Sequence, residues 1–115
     1  MELKIRKRSN NYIIDIRGEM DLYNAFKLKE MVNRMLEKKA ERFIINLESV
    51  ESIDSSGIGA LLSICSTIRK MELKLIITNI HGSLNKVIEL TNLLGSFPVT
   101  DSVDEAIQLM DACCV

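Results

Sequence analysis

The amino-acid sequence predicts an α/β domain in which a mixed β-sheet of four to five strands packs with about four α-helices. The first observation is alternation, because short apolar, β-branched runs such as Phe43–Leu47 are followed by longer amphipathic stretches. Strands that alternate with helices form βαβ units, and the strands of such units pair in parallel. The second observation is a hairpin pattern at the start of the chain, which adds an antiparallel pair and makes the sheet mixed.

The composition is that of one globular domain spanning residues 1–115. The chain is 47% hydrophobic and 27% charged, which supplies enough apolar material for a core. Its formal net charge of −1 gives no reason to expect a nucleic acid or an anionic membrane as a partner. We find no signal peptide, no apolar run of membrane-spanning length and no metal or redox spacing among Cys65, Cys113 and Cys114. We therefore expect a cytoplasmic protein.

The first elements are read from hydrophobic periodicity. Leu3–Lys7 alternates with period two, Tyr12–Arg17 follows after a short polar turn, and the two segments predict a hairpin. Gly18–Asp21 breaks this pattern, and we expect Asp21 to cap the helix that follows. Apolar residues recur at helical spacing from Leu22 to about Lys39, which predicts an amphipathic helix; they are Ala25, Phe26, Leu28, Met31, Val32, Met35 and Leu36.

The middle of the chain predicts a strand, a polar loop, a helix and a second strand. Phe43–Leu47 predicts a central strand, and Glu48–Asp54 is expected to be a polar loop. A second helix opens at Ser55, and its predicted apolar side consists of Ile58, Leu61, Leu62, Cys65 and Ile68. Leu73–Thr78 predicts another buried strand.

The last part of the chain predicts three further elements. A third helix begins at Gly82 and ends near Gly95. Phe97–Thr100 is expected to be a short edge strand, since Pro98 limits its pairing. Ser102–Glu105 has the pattern of a capping box and opens a final helix.

Catalysis has little support in the sequence. His81 is the only histidine and could act as a general base, and Ser55 or Cys65 could act as a nucleophile. No GxSxG elbow or other catalytic signature accompanies them. A loop histidine and a buried, inert thiol are the simpler interpretations.

The glycines do not predict a cofactor site. The chain has no GxxxxGK[ST] phosphate loop. Gly57 to Gly59 resembles the front of a dinucleotide fingerprint, but Leu62 occupies the place of the third glycine, where close packing needs a small residue. The acidic residues are scattered. We predict neither a cofactor nor a metal.

The segment from Ile53 to Leu62 carries the most information. Its plain interpretation is a helix N-terminus that Asp54 or Ser55 caps. The segment also places two hydroxyls and two glycines at one exposed helix start. A phosphate there would meet free backbone N–H groups and the positive end of the helix dipole, so the helix would tolerate it. The surface would gain about −1.5 to −2 charges.

The chain resembles a STAS domain of the anti-sigma factor antagonist type. The G-E-hydrophobic-D turn is present at residues 18–21, and the central strand at Phe43–Leu47 matches as well. The most specific element is the D-S-[STA]-G-hydrophobic-G signature, which is present at Asp54–Gly59. One departure is Thr91–Leu94, which replaces the commoner T-G-L and leaves the end of the third helix open.

This resemblance implies a partner-switching module that is not an enzyme. The unphosphorylated protein would bind an anti-sigma factor, which is also a serine kinase, and so release a sigma factor to direct transcription. The kinase would phosphorylate Ser55, and a PP2C-type phosphatase would remove the phosphate. Asp54, Ser56, Gly57 and Ile58 would form the docking surface around Ser55, with Asp21 and its turn beside it. Ser56 is a competing acceptor, because the chemistry alone does not choose between adjacent hydroxyls.

Two other functions compete with this one. STAS domains also occur in stressosome scaffolds and lipid-transport complexes, so the chain could be a subunit of such an assembly. The other alternative is a small nucleotide hydrolase that uses Asp21, Asp54 and Ser55. Without a phosphate loop or an assigned base, it ranks below the binding functions.

Overall fold

A computed structural model describes residues 1–82, 84–85 and 98–112 of the chain. Within these residues strands and helices alternate from β2 to β4, and a short strand and a last helix follow. The elements are β1 (Glu2–Arg8), β2 (Asn11–Met20), α1 (Ala25–Glu37), β3 (Arg42–Ile53), α2 (Ser55–Lys70), β4 (Lys74–Thr78), β5 (Val99–Thr100) and α3 (Val103–Ala112).

The strands form one mixed sheet in the order β1-β2-β3-β4-β5. β1 pairs with β2 antiparallel through a tight turn, where Ser9 and Asn10 have φ values of 49° and 68°. The other neighbouring strands pair in parallel. The predicted mixed α/β sheet is therefore confirmed, and the parallel pairing of β2, β3 and β4 follows from α1 and α2, which connect these strands.

Helices cover both faces of the sheet. Successive isoleucines of the central strands point to opposite faces, as the pleat requires. Ile13, Ile44 and Ile76 pack against Ala106 and Met110 of α3. Their neighbours pack on the other face, in a larger core built with α1 and α2 that contains Ile14, Ile45, Ile77, Leu28, Val32, Leu61 and Ile68.

Two strands are longer than the sequence predicts. β2 continues through the predicted break to Met20, with Gly18 at φ 94° and irregular pairing on either side of it. β3 continues through the predicted polar loop to Ile53, because its parallel pairing with β2 extends to that residue. Backbone pairing holds this part of β3 although most of its side chains are exposed. Polar composition was therefore a poor guide to where the strand ends.

The first helix begins later than predicted. Asn24 precedes α1 at its N-terminus, whereas the Asp21 carboxylate accepts a hydrogen bond from the Tyr23 N–H. The predicted role of Asp21 as the cap is therefore wrong. The buried positions Ala25, Leu28, Val32 and Met35 are confirmed. Two other predicted core residues are exposed, Phe26 in α1 at 51% and Leu62 in α2 at 40%.

The end of the chain agrees with the prediction where it is described. β5 is a short strand at the edge of the sheet, next to β4. The Ser102 hydroxyl accepts a hydrogen bond from the Glu105 N–H, while the Glu105 carboxylate accepts one from the Asp101 N–H. Most of the predicted third helix, Phe97, Cys113 and Cys114 lie outside the described residues. No helix within the described ranges is long and apolar enough to cross a bilayer.

Candidate functional site

Two loops meet at the carboxyl edge of the sheet. β2 and β3 run parallel and remain paired up to Met20 and Ile53, so the residues that follow both strands emerge side by side. The Asp54 N–H donates to the Met20 carbonyl at 3.0 Å. The pairing thus brings the turn before α1 next to the start of α2.

Asp54 joins these two loops through its side chain. One carboxylate oxygen, Oδ1, accepts hydrogen bonds from the N–H groups of Ser56 and Gly57 at 2.8 and 3.0 Å. The other, Oδ2, accepts one from the Leu22 N–H at 3.2 Å. Of the two predicted caps, the structure selects Asp54 over Ser55. The same side chain holds the turn before α1 in place.

Ser55 is exposed at the first position of α2, whereas Ser56 is half-buried. The prediction of free N–H groups for a phosphate needs correction, since Asp54 already occupies those of Ser56 and Gly57. A phosphate on Ser55 would therefore lie beside a carboxylate. The charge of the phosphate would face solvent unless the phosphate displaced the Asp54 carboxylate from these N–H groups.

Gly57 and Ile58 support the site from below. A Cβ placed on Gly57 would lie 2.6 Å from Cγ1 of Ile53 and 2.9 Å from Cβ of Met20. Only glycine lets the start of α2 pack this closely on the strand ends. Ile58 is 5% exposed and belongs to the core. The expectation that its side chain lies on the docking surface is therefore corrected, because its burial leaves it little to offer a partner.

The turn before α1 is held by its own side chains. The Asp21 N–H donates to Oδ1 of Asn24 at 2.9 Å, and Nδ2 of Asn24 donates to the Glu19 carbonyl at 2.8 Å. Asp21 is half-buried in this turn. The turn presents Leu22 and Tyr23 to solvent, at 68% and 83% exposure.

Sequence reasoning missed Leu22 and Tyr23 as surface features. A signal was available for Tyr23, which lies two residues before Ala25 and does not share the three- and four-residue spacing of the buried positions; Leu22 lies three residues before Ala25 and gives no such signal. Apolar residues out of phase with a helix's buried face are candidates for contact with another molecule.

The other candidate chemistry does not assemble. His81 is exposed, and its Nε2 lies 3.2 Å from the Leu47 carbonyl. Cys65 is 2% exposed, and burial raises the pKa of its thiol from 9.0 to about 11, only partly offset by the Arg69 charge. A thiol with that pKa is a poor nucleophile at neutral pH. Across the described residues, no hydrogen bond links His81 to Ser55 or Cys65, and no three potential metal ligands cluster.

A second polar cluster crosses the face of the sheet that α3 partly covers. Arg6 pairs with Asp15, with Nε to Oδ2 at 2.6 Å, and Asp15 accepts from Asn46 at 2.8 Å. Oδ1 of Asn46 in turn accepts from Asn79 at 2.8 Å. The members of this network satisfy one another, so we interpret it as a structural link across the strands.

Comparison with known proteins identifies the family. The family model described as STAS domain matches residues 2–106. The chain belongs to the STAS domain family. This confirms the resemblance drawn from the sequence.

Individual relatives resemble this STAS domain in sequence or in fold. The anti-sigma-B factor antagonist of Staphylococcus aureus (strain NCTC 8325 / PS 47) is 24% identical over 93 residues, 81% of this chain and 86% of that protein. An anti-sigma factor antagonist from Mycobacterium paratuberculosis superposes with a TM-score of 0.85 at 20% identity, over 94% of this chain and 92% of that one. The Bacillus cell fate determinant SpoIIAA in its phosphorylated form superposes at 0.77 and 21% identity, over 95% and 99% of the two chains.

Proposed function

We propose that this STAS domain is an anti-sigma factor antagonist, a binding module whose contact with an anti-sigma factor is switched by phosphorylation of Ser55. The observation that carries the proposal is the exposed Ser55 at the start of α2, on a surface that Asp54 joins to the neighbouring turn. The names of the Staphylococcus and Mycobacterium relatives support the antagonist function. The phosphorylated form of the Bacillus relative supports control by phosphorylation.

The proposed partners act on the same surface. The anti-sigma factor carries serine kinase activity and phosphorylates Ser55, and a PP2C-type phosphatase removes the phosphate in the cytoplasm. Asp21, Asp54 and Ser55 lie where they can contact the partner, and Ser56 contributes its exposed part. Gly57 and Ile58 act by holding this surface in position. Ser55 is preferred to Ser56 as the acceptor because Ser55 is exposed and Ser56 is half-buried.

The physical effect of phosphorylation follows from the surroundings of Ser55. The phosphate adds about −1.5 to −2 charges and a tightly bound hydration shell. It lies beside the Asp54 carboxylate, which already accepts hydrogen bonds from the N–H groups of Ser56 and Gly57 at the helix start. A partner that covers Ser55 would have to strip water from both charges, which costs more than covering a hydroxyl. Binding is lost, while the fold remains because Ser55 lies outside the core.

Three variants test this proposal with the purified kinase-type anti-sigma factor from the same genome. We expect Ser55→Ala to bind it constitutively and Ser55→Asp to bind weakly, with both variants as stable as wild type to urea. Ser56→Ala is the matched control and should still accept phosphate, which mass spectrometry locates. Phosphate confined to Ser56, or wild-type affinity in Ser55→Asp, would contradict the proposal.

A further inference from the structure

We infer that Leu22, Tyr23 and Phe26, which we name the apolar anchor, form the main contact for the protein partner that covers Ser55 and determine which partner binds. This inference rests on the proposed function. It assigns the binding energy and selectivity to one set of residues and the phosphorylation switch to another.

The exposure of these residues is the first argument. Leu22, Tyr23 and Phe26 are 68%, 83% and 51% exposed, although the neighbouring positions Ala25 and Leu28 are 5% and 0% exposed. None of the three belongs to either cluster of buried core residues. Most of the surface of Leu22 and Tyr23 therefore remains available for contact with another molecule. Adjacent exposed apolar residues on a soluble domain commonly mark a protein-binding surface.

The spacing and order of the anchor are the second argument. The Asp21 carbonyl accepts from the N–H groups of Asn24 and Ala25 at 3.2 and 2.9 Å, so a hydrogen-bonded turn leads directly into α1. Leu22, Tyr23 and Phe26 therefore belong to one short hydrogen-bonded segment. The bonds among Asp21, Asn24 and Glu19 hold the turn before any partner arrives. Such preorganisation lowers the entropic cost of binding.

The third argument is continuity with Ser55. The Leu22 N–H lies 3.2 Å from the carboxylate of Asp54, the residue that precedes Ser55. A standard protein interface covers about 800 Å² on each partner. A protein that covers Ser55 at that size therefore also covers Leu22 and Tyr23. Aromatic side chains near the centre of an interface carry a large share of the binding energy.

The charges around the apolar anchor indicate which class of molecule binds it. Acidic residues near the ends of β2 and β3 outnumber the basic ones; they are Glu19, Asp21, Glu51 and Asp54, against Arg17 in β2 and Lys27 in the first turn of α1. An anionic membrane or a nucleic acid would meet net repulsion there. The partner is therefore a protein whose binding surface has an apolar pocket surrounded by cationic side chains. The anti-sigma factor of the proposed function would have to present such a face.

The test uses full-length protein and the purified kinase-type anti-sigma factor from the same genome as the probe. We expect Tyr23→Ala to weaken binding by roughly tenfold or more, and Leu22→Ala and Phe26→Ala by less. Tyr23→Phe should stay close to wild type, because the ring supplies the contact. The matched control is Met71→Ala, since Met71 is 49% exposed at the opposite end of α2; its affinity should not change. Urea unfolding must show equal stability for all variants.

The outcomes separate the two proposals. If Tyr23→Ala, Leu22→Ala and Phe26→Ala all bind like Met71→Ala, the apolar anchor is refuted, while loss of binding in Ser55→Asp still supports the proposed function. If the wild-type protein does not bind the kinase-type anti-sigma factor, the proposed function and the apolar anchor are both refuted. A tenfold loss in Tyr23→Ala with Ser55→Asp at wild-type affinity supports the anchor and refutes the switch.

Discussion

Gly57 and Gly59 belong to the same signature but have opposite surroundings. A Cβ on Gly57 would approach the Ile53 side chain at 2.6 Å and the Met20 carbonyl oxygen at 3.1 Å, so the neighbouring strand ends would have to move. A Cβ on Gly59 would have nothing within 4 Å. At Gly57 the glycine is needed for packing. At Gly59 it leaves part of the α2 surface bare.

We therefore expect opposite effects from the same substitution. Gly57→Ala should destabilise the protein by about 1–3 kcal/mol, the usual cost of overpacking a tight site. Gly59→Ala should stabilise it by about 0.5–1 kcal/mol, because alanine is the better residue inside a helix. Urea unfolding of both variants measures the difference. Equal effects of the two substitutions would show that the close approach of α2 to the strand ends is not as described.

At the scale of elements, the start of α2 and the turn before α1 behave as one unit. Pairing of β2 with β3 brings them together, and Asp54 bonds to both. The two carboxylate oxygens have different tasks, since Oδ1 caps α2 and Oδ2 holds the Leu22 N–H. The side-chain link between the two segments therefore depends on Asp54.

Two substitutions of Asp54 separate these tasks. Asp54→Ala removes the cap and should cost about 1 kcal/mol of stability. Asp54→Asn keeps one acceptor oxygen for the cap but loses the acceptor for Leu22, so its stability should stay closer to wild type. Both should speed hydrogen exchange at the Leu22 amide, measured by NMR. Unchanged protection of that amide in both variants would show that Asp54 does not hold the turn.

At the scale of the whole molecule, charge is unevenly distributed between the two ends of the sheet. The carboxyl edge carries Glu19, Asp21, Glu48, Glu51 and Asp54, with Arg17 and Lys27 as exceptions. The opposite end carries Lys7, Lys38, Lys39, Arg42 and Lys70, with Glu41 and Glu72 among them. Even the shortest extent of the molecule, 24 Å, exceeds the Debye length of about 8 Å at physiological salt. A partner that approaches Ser55 therefore senses mainly the acidic end.

This distribution predicts how fast the proposed complex forms. Glu51→Gln should slow association with the kinase-type anti-sigma factor a few-fold at low salt and leave dissociation nearly unchanged, as rim charges do. Lys38→Gln, at the opposite end, is the control and should not slow it. Stopped-flow measurements at two salt concentrations provide the comparison. Association that is independent of salt and of Glu51 would rule out a cationic rim on the partner.

Much of this architecture could be read from local sequence patterns. The short apolar run Phe43–Leu47 indicated a central strand, and the structure confirms it, with Ile44 and Ile45 in different cores. The segment Asp54–Gly59 indicated a capped helix start, because capping depends only on residues that are close in sequence. Periodicity and caps are local properties, so the sequence alone determined the fold class and the place of Ser55.

The tertiary structure decided the rest. Whether β3 ends at Leu47 or at Ile53 depends on its partner β2, which is distant in sequence. The exposure of Phe26, which shares a helix with buried residues, and the bond from Leu22 to Asp54 likewise depend on how separate elements meet. Hydrogen bonds and contacts between distant segments leave no periodic trace in either segment. For this reason only the assembled fold shows which side chains surround Ser55.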